Sequence, residues 1–135
     1  MIKTLIEQLS KDLNLSTPPS PDREGCYLLE FDANMQISLR ENPNSGITLY
    51  TVLIDLPLKQ AEPFMHQVMM ANLLGKETGE SVLGLDKEGK KWVFLRFLPE
   101  GIEYKNFRDA FENFVNYAEV WREDTVRFQN EQNVE

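Results

Sequence analysis

The segment 61–75 constrains the fold most, because it has the length of a helix and is apolar on almost every side. Between residues 64 and 74 only His66, Gln67 and Asn72 are clearly polar. A helix that is apolar all round needs cover all round. One sheet in a chain of 135 residues covers only one side of it, so we expect a partner on the other, most simply a second copy related by a twofold axis. The alternative is a helix buried entirely in the core.

Two periodicities order the rest of the chain. Apolar residues at helical spacing predict a first helix that ends near Asn14 and a last helix from Tyr104 to about Phe128. The polar segment 129–135 is expected to fray. Alternation of period two predicts five strands, near residues 27–31, 35–40, 47–56, 82–86 and 92–98. Because short turns join neighbouring strands, the order α-β-β-β-α-β-β-α predicts one α+β domain over residues 1–135, with an antiparallel sheet.

Two of these strands are apolar on both faces. A sheet with water on one side usually alternates polar and apolar residues, so both faces here need cover from helices or from a bound chain. The first helix is short, is tethered by a proline-rich segment and can cover little. Grooves and strand edges of this kind bind extended peptides, which favours a dimeric peptide-binding module over an enzyme. The apolar residues on the two faces are Ile47, Leu49 and Leu53 against Tyr50, Val52 and Ile54, and Trp92 and Phe94 against Val93, Leu95 and Phe97.

The charge and cysteine content exclude several classes of function. The net charge of −8 disfavours nucleic acid and anionic membrane surfaces as partners, and the acidity gathers toward the C-terminal end. A solvated surface accounts for that acidity, although an acidic docking face for a basic partner remains an alternative. Cys26 is the only cysteine, so no internal disulfide forms. With no apolar leader and no run of the ~18 apolar residues that a membrane span needs, a cytoplasmic protein is expected, without membrane insertion.

Catalytic and cofactor chemistry finds little support. His66 is the only histidine, and it lies among apolar neighbours. An enzyme would need a polar, concave cluster around His66 or Cys26. The segment 84–91 matches P-loop spacing, but Lys91 stands where that motif requires a serine or threonine for magnesium. We therefore interpret residues 86–90 as a hairpin turn and predict no catalytic residue, metal or cofactor.

A family resemblance rests on the middle of the chain. The residues ANLL at 71–74, ETG at 77–79 and VLGLD at 82–86, followed by Gly89, resemble the central signature of class I type III secretion chaperones, the CesT-like family. The strand 92–98 and the long aromatic helix with AEVW at 118–121 fit the same pattern. The resemblance covers nearly the whole chain in element order, length and acidity, and its motifs are structural.

The resemblance implies a homodimer whose twisted antiparallel sheet is flanked by three helices. Such a protein binds the N-terminal chaperone-binding segment of a secreted effector in extended form, keeps it soluble and yields it to the secretion ATPase machinery. No cofactor or turnover is implied. The alternative is a YbjN-like bacterial protein of the same architecture that acts outside secretion, and the two differ in whether an effector's N-terminus binds. The proline-rich loop 16–21 is outside the signature and could reshape the binding groove.

The resemblance also implies two binding surfaces. The effector would bind the first helix, whose apolar face is then expected to serve the partner more than the core, and the hydrophobic sheet surface. The second helix and the strand after it would form the subunit contact. The implied effector-binding residues are Ile2, Leu5, Ile6, Leu9, Leu28, Tyr50, Val52 and Ile54. The implied dimer-interface residues are Phe64, Met65, Val68, Met69, Leu73, Val82 and Leu83.

Overall fold

The computed structural model describes residues 2–15, 17–31, 35–43, 46–55, 61–75 and 77–133. Its elements are α1 (Ile2–Asp12), β1 (Tyr27–Phe31), β2 (Met35–Glu41), β3 (Ile47–Asp55), α2 (Ala61–Leu74), β4 (Val82–Leu85), β5 (Lys91–Leu98) and α3 (Tyr104–Asn133). The predicted α+β class and element order are confirmed. The predicted turn at 32–34, Ser16 at the start of the proline-rich loop and Leu56 at the predicted end of β3 lie outside the described residues.

The five strands form one antiparallel sheet in the order β1-β2-β3-β5-β4. The second helix connects β3 to β4 along the chain, and β5 lies between these two strands in the sheet. A bulge between Val52 and Ile54 adds one residue to β3 near its end. Such an extra residue bends the strand and changes the face to which later side chains point.

One face of the sheet carries the core. Leu39, Leu49 and Phe94 are fully buried on it, and α3 lies along β3 and β5. The aromatic stripe of α3 faces these strands, with the ring of Phe114 stacked on Phe94 at a centroid distance of 5.2 Å. The predicted aromatic face of the last helix is therefore the main cover of the sheet. We call the opposite side the open sheet face.

The first helix ends where the sequence pattern places its end. Asn14 adopts a left-handed backbone with φ of 57°, a conformation that asparagine tolerates better than most residues. The Asn14 N–H donates to the Lys11 carbonyl at 3.1 Å and the Leu15 N–H donates to the Ser10 carbonyl at 3.0 Å. These two bonds satisfy carbonyls that a helix end would otherwise leave unpaired.

The second helix packs across the edge of the sheet formed by β4. Phe64 meets Trp92 edge to face at 5.0 Å. The Asn72 side chain donates to the Leu83 carbonyl at 2.8 Å and accepts the Leu83 N–H at 2.9 Å. Because β4 is an edge strand, Asn72 takes the place that a neighbouring strand would occupy at this position and blocks further pairing there.

The segment that resembles a P-loop is a hairpin turn, as predicted. The Asp86 carboxylate accepts the backbone N–H groups of Lys90 at 2.7 Å and Lys91 at 3.2 Å. Gly89 supplies the left-handed backbone that the turn requires, with φ of 70°. β5 follows directly, so no helix N-terminus is present to receive a phosphate.

Candidate functional site

The apolar face of α1 is part of the core. Its four implied effector-binding residues are no more than 7% exposed and join the hydrophobic cluster beneath the sheet. The expectation that this face serves a partner more than the core is therefore wrong, because α3 already covers it. Whether the same helix also takes part in partner binding stays a prediction. The residues are Ile2, Leu5, Ile6 and Leu9.

Three of the other implied effector-binding residues lie on the open sheet face: Leu28, Tyr50 and Val52. The expectation that Ile54 points the same way is wrong, because Ile54 follows the bulge, stands opposite the buried Trp92 and packs against the core. The strand register aligns Leu28 with Ser38, Ser38 with Tyr50, Tyr50 with Leu95 and Leu95 with Val82, so one row of side chains crosses all five strands. Residues opposite each other on paired strands share a face. Leu28 and Val82 are exposed at the two ends of this row, and Tyr50 is half-buried at its centre.

A concave region of about 460 Å³ lies at the β1-β2-β3 side of this face. Val52 is exposed and Ile54 is half-buried in its wall. Its rim is polar, with Gln36, Asp55 and Arg122 among the lining residues. All four implied sheet residues line this one region, which the sequence alone could not establish: Leu28, Tyr50, Val52 and Ile54.

Tyr50 contributes a polar group to an otherwise apolar row. Burial, and to a smaller extent the negative charge of Asp86, raises the pKa of the Tyr50 hydroxyl above its usual range. The hydroxyl therefore stays protonated at neutral pH and is available to donate a hydrogen bond to a bound chain.

Sequence analysis missed Phe97, whose side chain is 63% exposed on β5. In the register it stands opposite Thr48, on the same side of the strand as Leu95. The available signal was the second apolar face of the strand 92–98, where Phe97 was named but was not included among the effector-binding residues. Phe97 extends the apolar surface of the open sheet face toward one end of β5.

The outer side of α2 forms a second apolar surface. Met69 is 73% exposed and Leu73 is 78% exposed, one helical turn apart. Met65 and Met70 are also exposed beside them, and Met70 was missing from our implied set. We call these four residues the α2 methionine face. Among the other implied interface residues, Val82 is exposed, whereas three are buried within the subunit: Phe64, Val68 and Leu83.

Polar contacts attach the end of α1 to α3. The Tyr104 hydroxyl donates to the Asp12 carboxylate, and Arg108 forms an ion pair with the same carboxylate at 3.7 Å. Burial and the hydrogen bond to Asp12, together with its negative charge, raise the pKa of Tyr104 to about 12, and the Arg108 charge opposes this shift. Tyr104 therefore remains a hydrogen-bond donor throughout the physiological pH range.

The two candidate catalytic residues considered from the sequence lie on different parts of the fold. His66 is exposed on α2, and Cys26 is half-buried just before β1. Within the described part of the chain, no three histidine, cysteine, aspartate or glutamate side chains are grouped to hold a metal ion. None of the helices in the described ranges combines the length and apolar character that crossing a bilayer requires.

The model of the Tir chaperone protein (CesT) family matches residues 4–122. This chain belongs to the CesT family. A protein of Chlamydia pneumoniae designated CPj0713/CpB0740 is 30% identical over 125 residues, which are 92% of this chain and 95% of the relative. The family match begins within α1, ends within α3 and includes α2 and every strand of the sheet, and the resemblance inferred from residues 71–89 is confirmed.

Solved structures share the fold of this CesT-family chain. The Yersinia pestis type III secretion chaperone SycH, crystallised with a stable fragment of YscM2, has a TM-score of 0.69 at 16% identity, covering 89% of this chain and 98% of SycH. The HopA1–SchA chaperone–effector complex has a TM-score of 0.72 at 18% identity, covering 90% and 93%. YbjN from E. coli has a TM-score of 0.60 at 17% identity, covering 87% and 88%. The architecture alone therefore does not separate secretion chaperones from YbjN.

The Tir chaperone protein (CesT) family, to which this chain belongs, is a family of type III secretion chaperones that bind effectors, and it is non-enzymatic. A chaperone of this kind needs surfaces and not reacting groups. The two apolar surfaces described above are therefore the candidate sites.

Proposed function

We propose that this chain binds the N-terminal chaperone-binding segment of one or more type III secreted effectors in the bacterial cytoplasm, and keeps them soluble and secretion-competent. The observation that carries this proposal is the open sheet face, whose row from Leu28 to Val82 crosses every strand. Leu28, Val52 and Phe97 are exposed on that face, because α3, the main cover of the sheet, packs on the other side.

An extended segment suits this surface better than a folded domain does. A chain in β conformation presents alternate side chains to one side, so its apolar residues can contact Leu28, Val52 and Phe97 while its polar residues face water. The Tyr50 hydroxyl can donate to a carbonyl of the bound chain. No bond is made or broken in this process, and release is the task of the secretion ATPase machinery.

We also propose that two copies associate through the α2 methionine face, with Val82 at its margin. Methionine side chains adapt to irregular surfaces, and large exposed apolar residues on one helix mark an interaction site. The exposure of Met69 and Leu73 supports this proposal. Phe64, Val68 and Leu83 would then support the interface from beneath, since they are buried within one subunit.

Effector binding can be tested at the open sheet face. Leu28→Asp together with Val52→Asp is expected to abolish binding, a loss of at least tenfold, because each charge would be desolvated beneath the bound segment. The cargo is first recovered from the native bacterium by affinity capture of the tagged chain and mass spectrometry. Titration calorimetry with its protease-protected N-terminal segment then measures the effect.

The matched control carries Val120→Asp and Val126→Asp, which add the same charges to exposed positions of α3. This variant should bind as the wild type does. Unchanged binding by the sheet variant would contradict the proposed site. If no secreted protein is recovered and the chain is still dimeric, a YbjN-like role outside secretion, regulatory or ligand-binding, becomes the better account.

Self-association can be tested on α2. Met69→Asp with Leu73→Asp is expected to give a folded monomer. Both side chains are exposed within one subunit, so the fold should survive, whereas in the proposed dimer the new charges would lie in the contact between the two copies. Light scattering after size exclusion measures the mass, and far-ultraviolet circular dichroism checks the fold. Gln67→Asp, an exposed polar position on the same helix, is the control and should remain dimeric. A dimeric double variant would place the interface elsewhere.

A further inference from the structure

Arg96 occupies a position that the strand pattern reserves for an apolar residue. On β5 the residues two before and two after it, Phe94 and Leu98, are buried in the core. In the register Arg96 stands opposite Leu49, which is fully buried on β3. Only 13% of the Arg96 side chain is exposed. A charged residue at a core-facing position costs stability unless it is paired, and departures of this kind are expected at functional sites, so this arginine needs an explanation.

The guanidinium group is only partly satisfied. Its Nη2 donates to the Glu80 carboxylate at 2.9 Å. Its Nη1 is buried and has no hydrogen-bond partner among the described residues. A buried donor on a charged group is costly to leave unpaired, and native structures rarely do so without a reason.

The Glu80 carboxylate, which pairs with Arg96, is held there weakly. The Glu80 side chain is 80% exposed, so water screens its ion pair. Its backbone has φ of 71°, a left-handed conformation that glycine adopts far more readily than glutamate does. Glu80 is therefore an exposed and displaceable occupant of the Arg96 guanidinium, and not a buried structural partner.

A cavity of about 400 Å³ opens beside this arginine, between the end of β5 and the first half of α3. Asn106 and Asn113 line it from α3 with Asp109 between them. The two side-chain amides can donate hydrogen bonds to an anion. The negative charge of Asp109 opposes any anion and opposes a dianionic phosphate more than a single carboxylate.

We propose that Arg96 and this cavity form a binding site for a single carboxylate group. A guanidinium offers two parallel N–H donors that match the two oxygens of a carboxylate. An incoming carboxylate would displace Glu80 from Nη2 into solvent, and the departure of Glu80 would let it reach the buried Nη1 as well. It can come from an acidic side chain of a bound chain, from a chain terminus or from a small free carboxylate.

Carboxylate titrations followed by NMR test this site on the isolated chain. The wild type and Glu80→Gln are titrated with propionate, with N-acetylglutamate α-amide and with N-acetylglycine, at an ionic strength held constant with sodium chloride. The Arg96 Nε–Hε signal is expected to shift and to saturate. Glu80→Gln should lower the half-saturating concentration about two- to fivefold, because the competing carboxylate of an exposed ion pair is gone.

The three probes identify the source of the carboxylate. Tightest binding of N-acetylglutamate α-amide assigns an acidic side chain, and tightest binding of N-acetylglycine assigns a chain terminus. Equal or tighter binding of propionate assigns a small free carboxylate. Each of these results supports the site.

Two variants complete the test. Arg96→Met has no Nε–Hε group, so it is compared with the wild type through the backbone amide signals of β5, whose saturable shift should disappear. Glu112→Gln changes an exposed glutamate on α3 outside the cavity and should leave the affinity unchanged. The proposal would be overturned if the signal shift of Glu80→Gln did not saturate and equalled the shift that sodium chloride alone produces. It would also be overturned if the shift in Arg96→Met still saturated. Because small probes replace the effector, this failure would leave the proposed chaperone function untouched.

Discussion

Replacing Leu5 and Leu9 together with aspartate is expected to unfold the protein. Both side chains belong to the hydrophobic cluster between α1, α3 and the sheet, at 7% and 3% exposure. Each uncompensated buried carboxylate costs at least about 3 kcal/mol, and a domain has only about 5–15 kcal/mol in total. Loss of the cooperative thermal transition in circular dichroism is the measurement that checks this expectation.

The control for that experiment moves the same two charges by one residue. Thr4→Asp with Gln8→Asp keeps the spacing along α1, but both positions are exposed. This variant should unfold at nearly the wild-type temperature. If the Leu5/Leu9 variant instead stayed folded and lost only its partner, the face of α1 would serve the partner first, as the resemblance suggested.

Gly46→Ala is expected to lower the free energy of unfolding by about 2–5 kcal/mol. A Cβ atom at this position would lie 2.3 Å from the Leu98 carbonyl oxygen. That oxygen belongs to the backbone of β5 where it meets the start of β3, so neither partner can move without disturbing the sheet. The backbone φ of Gly46 is also left-handed, at 78°. Urea unfolding followed by fluorescence measures the change.

Gly25→Ala separates the effect of the contact with the Leu98 carbonyl from the effect of the left-handed backbone. Gly25 has a similar left-handed backbone, with φ of 84°, but a Cβ there would meet nothing within 4 Å. Gly25→Ala should therefore lower the free energy of unfolding by only about 1–2 kcal/mol, the cost of a left-handed backbone at a residue with a Cβ atom. Equal losses in the two variants would show that the contact with Leu98 relaxes at little cost.

The apolar surface of this CesT-family chain is distributed unequally over the fold. The core uses one face of the sheet and the stripe of α3 beneath it. Large apolar side chains stay exposed on the open sheet face and on the α2 methionine face. A fold of this kind does not dictate which of its surfaces binds what, so the proposals rest on exposure and register.

Local patterns in the sequence were enough for the elements and their order. The period-two strands, the aromatic stripe of α3 and the end of α1 near Asn14 each depend on residues within one or two turns of one another. The excess of apolar surface on α2 was also visible, because composition within one helix reveals it. The hairpin at residues 86–90 followed from its glycine and from the strand after it.

Distant contacts decided everything that depends on which elements meet. Leu9 and Met69 are both apolar at helical spacing, yet α3 buries the first and the structure leaves the second 73% exposed. The bulge in β3 and the pairing of Asn72 with β4 likewise have no local signature. Periodicity specifies that a side of an element is apolar, whereas its burial is set by residues far away in the chain. Sequence alone therefore determined the elements and the amount of apolar surface, and the tertiary structure decided which part became core, which part stayed open and that Arg96 borders a cavity.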